Sequence, residues 1–343
     1  MARGGASKVL CLLADGFAER GWEVNLVFLR VQKAYQVNKK VNVISLCQPD
    51  SDPPKVCQIS IIHNYLRKTP CDVVISFLIE VNMITLTSYW GARKPVIIIQ
   101  ECNDPKLASS KPLFAASKII YGLADYVVFQ TNRVKNYYSK SIQEKSSVIY
   151  NPVDIEVQQE NITDSKKIVS VGRLIEQKNH LLLLSAFHCF LESHADYTLH
   201  IYGDGKLQSI IDTRINDLGL KNKVFLEGNQ EHVQKRIVDA EMFVLSSNHE
   251  GLSNALLEAM GIGIPCISTD CAGSDEIIED HVNGILVPVG DKKSLYRAMC
   301  ELADNRSLRE SIQVESHKIK AVIDKDIIIK KWIDIVEQLL SKE

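Results

Sequence analysis

HEGLSNALLEAMGIGIPCISTD, residues 249–270, decides how this chain of 343 residues is read. A short polar turn runs into Leu256, Leu257, Ala259 and Met260, which are spaced as on one helix. Glycines follow at 261 and 263, and then an apolar β-branched run from Ile264 to Thr269. A helix passing at once into an apolar strand is part of a β–α–β repeat. Strands that stay apolar without alternating belong in parallel sheets covered on both faces.

The same rhythm extends in both directions. Ahead of residue 150 the strands predicted are 24–29, 41–46, 72–77, 95–100, 126–131 and 147–150, with helices over 6–20, 55–67 and 111–123 between them. Asn151-Pro152-Val153-Asp154 then opens a polar stretch that reads as a linker. Strands resume at 167–171, 198–202, 224–227, 242–246 and 264–269, each followed by a helical pattern. The chain is therefore α/β, with two Rossmann-like domains facing a cleft. The domains are expected at 1–155 and 156–323, with a C-terminal helix over 324–343 that crosses back to the first. No strand precedes Gly4-Gly5, so the first domain is expected to be shortened by its first strand.

Composition sets bounds on the partners. Apolar residues make up 45% and charged residues 24%, ordinary for a globular protein, and a net charge of −2 argues against nucleic acid. Residues 1–160 carry 19 Lys and Arg against 14 Asp and Glu, a net of +5; residues 161–343 carry 21 against 28, a net of −7. The basic half suits an acidic partner such as a phospholipid surface or a lipid pyrophosphate. Nine scattered cysteines without a Cys-x-x-Cys pair read as reduced core residues of a cytoplasmic protein. No apolar run is long enough to span a bilayer and no signal core opens the chain, so the sequon at Asn161-Ile162-Thr163 carries no weight.

Glu250 sits just before an apolar helix pattern and Glu258 inside it. At a rise of about 1.5 Å per residue the two lie roughly 12 Å apart along the axis. One carboxylate accepts hydrogen bonds from two neighbouring hydroxyls, and a helix N-terminus attracts phosphate. The spacing matches the reach of a nucleotide sugar from ribose to hexose. Two glutamates at this separation also occur as plain surface charges, but Glu258 lies among apolar residues. Three further loops follow strands, at VGRL, YGDG and SSNHEGLS, where open α/β sheets bind their ligands.

Taken in order, VGRLIEQKN, HIYGDG, FLEGNQEHV and EGLSNALLEAMGIGIPCISTD resemble the donor half of retaining glycosyltransferases of GT-B fold, glycosyltransferase family 4. GGASKVLCLLADGFAERGWEVNLV is similar to the family's glycine loop, first helix and second strand. DVVISFLIEVNMITL and IIIQECNDP resemble a subgroup that extends polysaccharides or lipid-linked oligosaccharides. The resemblance implies that Arg173 and Lys178 hold the donor pyrophosphate and stabilise it as the leaving group, without a metal or other cofactor. It implies Glu250 on the hexose and Glu258 on the ribose. The amides of Gly251, Leu252 and Ser253 would meet the phosphates, Gly172 and Gly203 would belong to the donor site, and Gly228 and Asn229 would lie near the base, while the Gly203-Asp204-Gly205 turn reads equally well as a plain turn. Gly4 and Gly5 would approach the phosphates from the other half. Glu101, Asn103 and Asp104 would stand on the acceptor side. Ser7 replaces a glutamate common in the family, and Cys102 a histidine or arginine. Both departures touch acceptor chemistry more than donor binding.

The expected donor is UDP-linked, a hexose or N-acetylhexosamine, and the acceptor a glycan, free or on a polyprenyl pyrophosphate. Lys106, Lys111 and Lys118, with Leu113, Phe114, Ile119, Ile120 and Tyr121, form either a membrane-facing surface at the inner face or an ordinary amphipathic helix on the sheet. Two other readings remain: a non-catalytic or inactive nucleotide-sugar-binding homologue, and a nucleotide-sugar epimerase or a phosphorylase.

Overall fold

The structure is a computed structural model that describes residues 5–29, 37–48, 51, 53–89, 95–105, 110–271 and 273–342. The chain divides into two compact units, 1–152 together with 323–343, and 153–322.

The first unit begins with helix α1 (Gly5–Glu19) and two paired parallel strands, β1 (Val24–Phe28) and β2 (Val41–Ser45). A second parallel sheet runs β3 (Val73–Phe77), β4 (Val96–Glu101), β5 (Tyr126–Phe129) and β6 (Ser146–Val148), in that order. Helices α2 (Lys55–Lys68), α3 (Ile79–Ser88) and α4 (Lys111–Ile120) connect them. β4, Val-Ile-Ile-Ile-Gln-Glu, is buried along its whole length, as an unbroken apolar run requires of a strand covered on both faces. The strand expected ahead of the glycine pair concerns residues before Gly5, outside the described ones.

The last helix, α10 (Lys325–Leu340), packs in this first unit. Asp324 starts it by accepting from the amides of Asp326 and Ile327 at 3.0 and 3.1 Å. Ile328, Ile329, Trp332, Ile333 and Val336 recur at helical spacing and are buried against α1 and the β3–β6 sheet. Trp332, 1% exposed, stacks on Phe77 with centroids 6.0 Å apart.

The second unit is one six-stranded parallel sheet. Its strands are β7 (Lys167–Val171), β8 (Thr198–Tyr202), β9 (Val224–Gly228), β10 (Met242–Leu245), β11 (Cys266–Thr269) and β12 (Ile285–Val287). The spatial order is β12-β11-β10-β7-β8-β9. The winding therefore reverses between β7 and β10, which are adjacent. That opens a crevice at their carboxyl ends, the ordinary place for a ligand in such a sheet. Helices α5 (His180–Phe190) and α6 (Gln208–Asp217) follow β7 and β8, and α7 (Asn254–Ile262) follows β10. α8 (Lys292–Asp304) and α9 (Arg306–Ser316) come after β12. α5 and α8 pack on one face through Leu183, Phe187, Leu295 and Met299, all fully buried.

Most strands fall within two residues of their sequence-based bounds. β12 is the one that periodicity does not reveal, because three residues are too few to show a period. Two side-chain placements differ from expectation. Cys57 and Cys71 are exposed, so the cysteines are not uniformly core residues. Tyr121 is fully buried and so belongs to no surface, while Ile119 beside it is 79% exposed. Lys106 lies outside the described residues. Among those residues no helix is long and apolar enough to cross a membrane.

Replacing a fully buried Trp by Ala leaves a cavity that costs about 3–5 kcal/mol. Trp332→Ala should lower the unfolding free energy of the purified chain, measured by denaturant titration, by that amount, whereas Trp332→Phe, which keeps the stack on Phe77, should lose less than half of it.

Candidate functional site

The carboxyl ends of β7 and β10 carry the loops that hold the donor-site candidates. After β7 the chain passes Gly172 and Arg173 and makes a single 3₁₀ turn over Glu176–Lys178. Asn179 then takes a left-handed conformation (φ 45°, ψ 48°), and its side chain caps α5 by accepting from the Leu182 amide at 3.2 Å. The YGDG turn after β8 crosses directly beneath this loop. At Gly203 (φ 141°) a Cβ would stand 2.1 Å from the Gly172 carbonyl oxygen, so only glycine fits. The amide of Gly172 donates to the Tyr202 carbonyl at 2.9 Å and that of Leu174 to Asp204 at 2.8 Å, which locks the two turns together. Gly203 thus serves the crossing of two loops.

The loop after β10 is tied to the first by a run of hydrogen bonds. The amide of Asn248 donates to the Gln177 carbonyl at 2.8 Å, and its side-chain amide donates to the Glu176 carbonyl at 2.9 Å. Asn179 Nδ2 donates to Asn248 Oδ1 at 2.8 Å, and Ser246 Oγ to the carbonyls of Lys178 and Asn179 at 3.0 and 3.1 Å. This closure brings together two residues 72 positions apart: Lys178 Nζ lies 2.5 Å from Glu250 Oε1. Ser247 Oγ donates to the same carboxylate oxygen at 2.6 Å, and Gln177 Nε2 to the other at 3.3 Å.

Glu250 and Glu258 are each only 6% exposed, as are Leu252 and Ser253. Two charged carboxylates sheltered to this degree are rarely surface decoration. Glu258 lies on α7, and Gly251, Leu252 and Ser253 lead into its N-terminus, where the Ser253 hydroxyl makes no capping bond. A turn after β11 supports this entry. At Gly273 (φ 95°) a Cβ would lie 1.7 Å from the Gly251 carbonyl oxygen. Thr269 Oγ1 also donates to the Ser247 carbonyl at 2.7 Å.

The Arg173 side chain is exposed, while its carbonyl oxygen lies 3.3 Å from Nε2 of His180. His180 is 3% exposed, and burial pushes its pKa down to about 4, so the ring is neutral near pH 7. Gly228 and Asn229 close β9, two strands from β7, with Asn229 exposed. Among the described residues no three His, Cys, Asp or Glu side chains are grouped to hold a metal ion.

The first unit carries the remaining candidates. Gly5 begins α1 and is exposed, and Gly4 lies outside the described residues. Glu101 closes β4 and is 1% exposed. Tyr121 Oη donates to its carboxylate at 2.7 Å, and the amides of Cys102 and Asn103 also donate. Burial nevertheless pushes its pKa up to about 7. Tyr121 Oη accepts in turn from Asn82 at 3.2 Å, and Asn82 accepts from Ser76 Oγ at 2.7 Å. Asp104, also 1% exposed, accepts from Tyr137 Oη at 3.2 Å. Both carboxylates therefore fasten their loop from inside, and Asn103 is the partly exposed member of the three.

Ser247, Gln177, Asn248, His180 and Gly273 are site residues that the sequence reading passed over. Gly273 carried a usable signal, a glycine just after an apolar strand. The others are common polar residues in loops and carried none.

Comparisons with known proteins bear on the family and the fold. Residues 153–318 match the family model described as Glycosyl transferases group 1, and residues 3–157 the one described as Glycosyltransferase Family 4. The chain is 26% identical, over 99% of its length and 97% of the relative's, to an enzyme of Campylobacter jejuni. That enzyme is named N-acetylgalactosamine-N,N'-diacetylbacillosaminyl-diphospho-undecaprenol 4-alpha-N-acetylgalactosaminyltransferase. It is 30% identical to an uncharacterized glycosyltransferase of Methanocaldococcus jannaschii, over 66% of this chain and 67% of the relative. Among solved structures, Anabaena HepE in complex with UDP matches with a TM-score of 0.79 at 16% identity, covering 98% of this chain and 96% of that one, a likeness of fold.

Glu101 yields a pH test. Its carboxyl ionises near its usual value when unfolded and only near 7 when folded. The folded state is thus favoured at low pH, and that advantage is lost as pH rises through the folded value. Measured against Glu101→Gln, whatever the constant offset between them, wild-type unfolding free energy should fall between pH 5 and pH 8.

Proposed function

This chain belongs to glycosyltransferase family 4 and has the GT-B fold, and on that premise we propose that it moves a hexose from a uridine diphosphate donor to a lipid-linked glycan, with retention. An N-acetylated hexose is the preferred cargo, since the Campylobacter relative is named as an N-acetylgalactosaminyltransferase. The same name puts that relative's acceptor on a diphospho-undecaprenol carrier, which supports a lipid-linked acceptor here.

The observation that carries this reading is the sheltered set at the reversal of the second sheet. Lys178 and Glu250 meet where the two loops join, four residues ahead of α7, the nine-residue helix that carries Glu258. In the reaction proposed, the acceptor hydroxyl oxygen bonds to the anomeric carbon while the bond from that carbon to the phosphate oxygen breaks. The electron pair leaves on the diphosphate, which takes the acceptor's proton on the same face. Arg173 and Lys178 neutralise the charge that develops there, together with the amides at the start of α7. Glu250 accepts from hexose hydroxyls and Glu258 from the ribose diol. The positive charge comes from side chains, so turnover should survive a chelator.

α4 supports a second part of the proposal, peripheral attachment to an anionic membrane at the inner face. Ile119 on this helix is 79% exposed, Leu123 in the 3₁₀ turn that follows is 42% exposed, and the Lys118 ammonium sits 4.6 Å above the Phe114 ring. Exposed apolar and basic groups on one helix suit the headgroup boundary.

Binding and turnover of a panel of nucleotide sugars, with a polyprenyl-pyrophosphate glycan as acceptor, test the reaction. Arg173→Ala should lower kcat by roughly 10²–10³, and Glu258→Ala should weaken donor binding roughly tenfold. Binding without turnover would favour a non-catalytic homologue, and donor conversion without acceptor an epimerase. Vesicles containing phosphatidylglycerol should retain the wild type and release it as salt rises. Ile119→Glu with Lys118→Glu should abolish retention while leaving donor binding intact.

A further inference from the structure

The Lys178–Glu250 contact has a consequence for which ligands the site accepts. Both side chains are sheltered, 13% and 8% exposed, and the contact is short at 2.5 Å. The lysine has little freedom to leave it. Its stem lies across Gly172, where an added Cβ would meet Lys178 Cε at 3.1 Å. Its carbonyl is fixed by Ser246 Oγ at 3.0 Å. Glu250 is held as firmly, by Ser247 and Gln177. Each ion is the other's main partner while no donor is bound.

A diphosphate drawn to Lys178 would therefore compete with a buried carboxylate for the same ammonium. A sheltered carboxylate that loses a charged partner costs free energy unless other donors replace it. A nucleotide sugar brings such donors, the hydroxyls of its hexose. A nucleoside diphosphate lacks these and keeps only its ribose hydroxyls, which the donor-site reading gives to Glu258.

We infer that the Lys178–Glu250 pair makes the site discriminate between the intact nucleotide sugar and the nucleoside diphosphate left after transfer, by penalising the diphosphate alone. This rests on the donor-site reading above. The pair would then favour product release, because the hexose that satisfies Glu250 departs with the acceptor. The diphosphate remains facing an anion whose cation it has taken.

The test is a double-mutant cycle read by calorimetry, with UDP, GDP and the nucleotide sugar selected by the donor panel as ligands. Glu250→Gln keeps size and polarity and removes the charge. It should bind the nucleoside diphosphate roughly tenfold tighter than wild type, about 1.4 kcal/mol, while binding the nucleotide sugar no tighter. Steady-state product inhibition by the diphosphate should strengthen in parallel as kcat falls. In a Lys178→Met background the gain should vanish, since no ammonium is left for the carboxylate and the diphosphate to contest. Ser247→Ala provides a test of opposite sign: it leaves Glu250 more dependent on Lys178 and should weaken diphosphate binding. Thermal unfolding confirms that each variant is folded, and if Lys178→Met is not, the signs for Glu250→Gln and Ser247→Ala decide.

Unchanged or weaker diphosphate binding by Glu250→Gln overturns the inference. So does a gain of the same size with Lys178 replaced, which would indicate plain repulsion between carboxylate and diphosphate. If wild type binds both ligand types and only the discrimination is missing, the donor site stands without this role. If it binds neither, the donor-site reading fails first and this inference with it.

Discussion

Two parallel strands that neighbour in space but not in sequence impose the central constraint. β7 and β10 lie side by side, yet the chain leaves β7 toward β8 and leaves β10 toward β11, in the opposite direction. Their following loops are therefore adjacent and are not filled by a connecting helix. The protein closes that gap with side chains and backbone polar groups. Asn248, Asn179 and Ser246 join the loops, and Lys178 and Glu250 meet at the centre of the join. Every feature assigned to donor binding hangs on this closure. The start of α7 is held by the β11 turn at Gly273, and the first loop by the crossing at Gly203.

The site's electrostatics follow from its shelter. Water cannot fully solvate Glu250 or Lys178, so each relies on named partners within the protein. A site of this kind is preorganised for a ligand that carries both an anion and hydroxyls, and poorly matched to a ligand with the anion alone. His180 contributes in a quieter way. It is neutral near pH 7 and lies against the carbonyl of Arg173, so it steadies the loop without adding charge beside Arg173.

The first unit uses buried polar groups differently. Glu101, Tyr121, Asn82 and Ser76 form a chain of hydrogen bonds between β4, α3 and the end of α4. Such a network fixes the register of the loop after β4 more sharply than apolar packing would, because each member is costly to leave unpaired. α10 completes the other side of that sheet through Trp332, so the last residues of the chain are structural partners of its first helix.

The strand–helix alternation, the parallel sheets and the family were legible in the sequence itself. They depend on local periodicity and on loop motifs such as VGRL and EGLSNALLEAM, each made of residues that are contiguous along the chain. The approximate place of Arg173, Lys178, Glu250 and Glu258 was legible for the same reason, since each follows a recognisable strand. Tertiary structure alone decided the rest. The meeting of Lys178 with Glu250, the support from Ser247, Gln177 and Gly273, the inward turn of Glu101 and Asp104, and the burial of Tyr121 beside exposed Ile119 all depend on long-range neighbours. Periodicity reports which face of an element is apolar. It holds no information about which distant loop will stand opposite a given polar side chain, and that pairing is what turns separate motifs into a site.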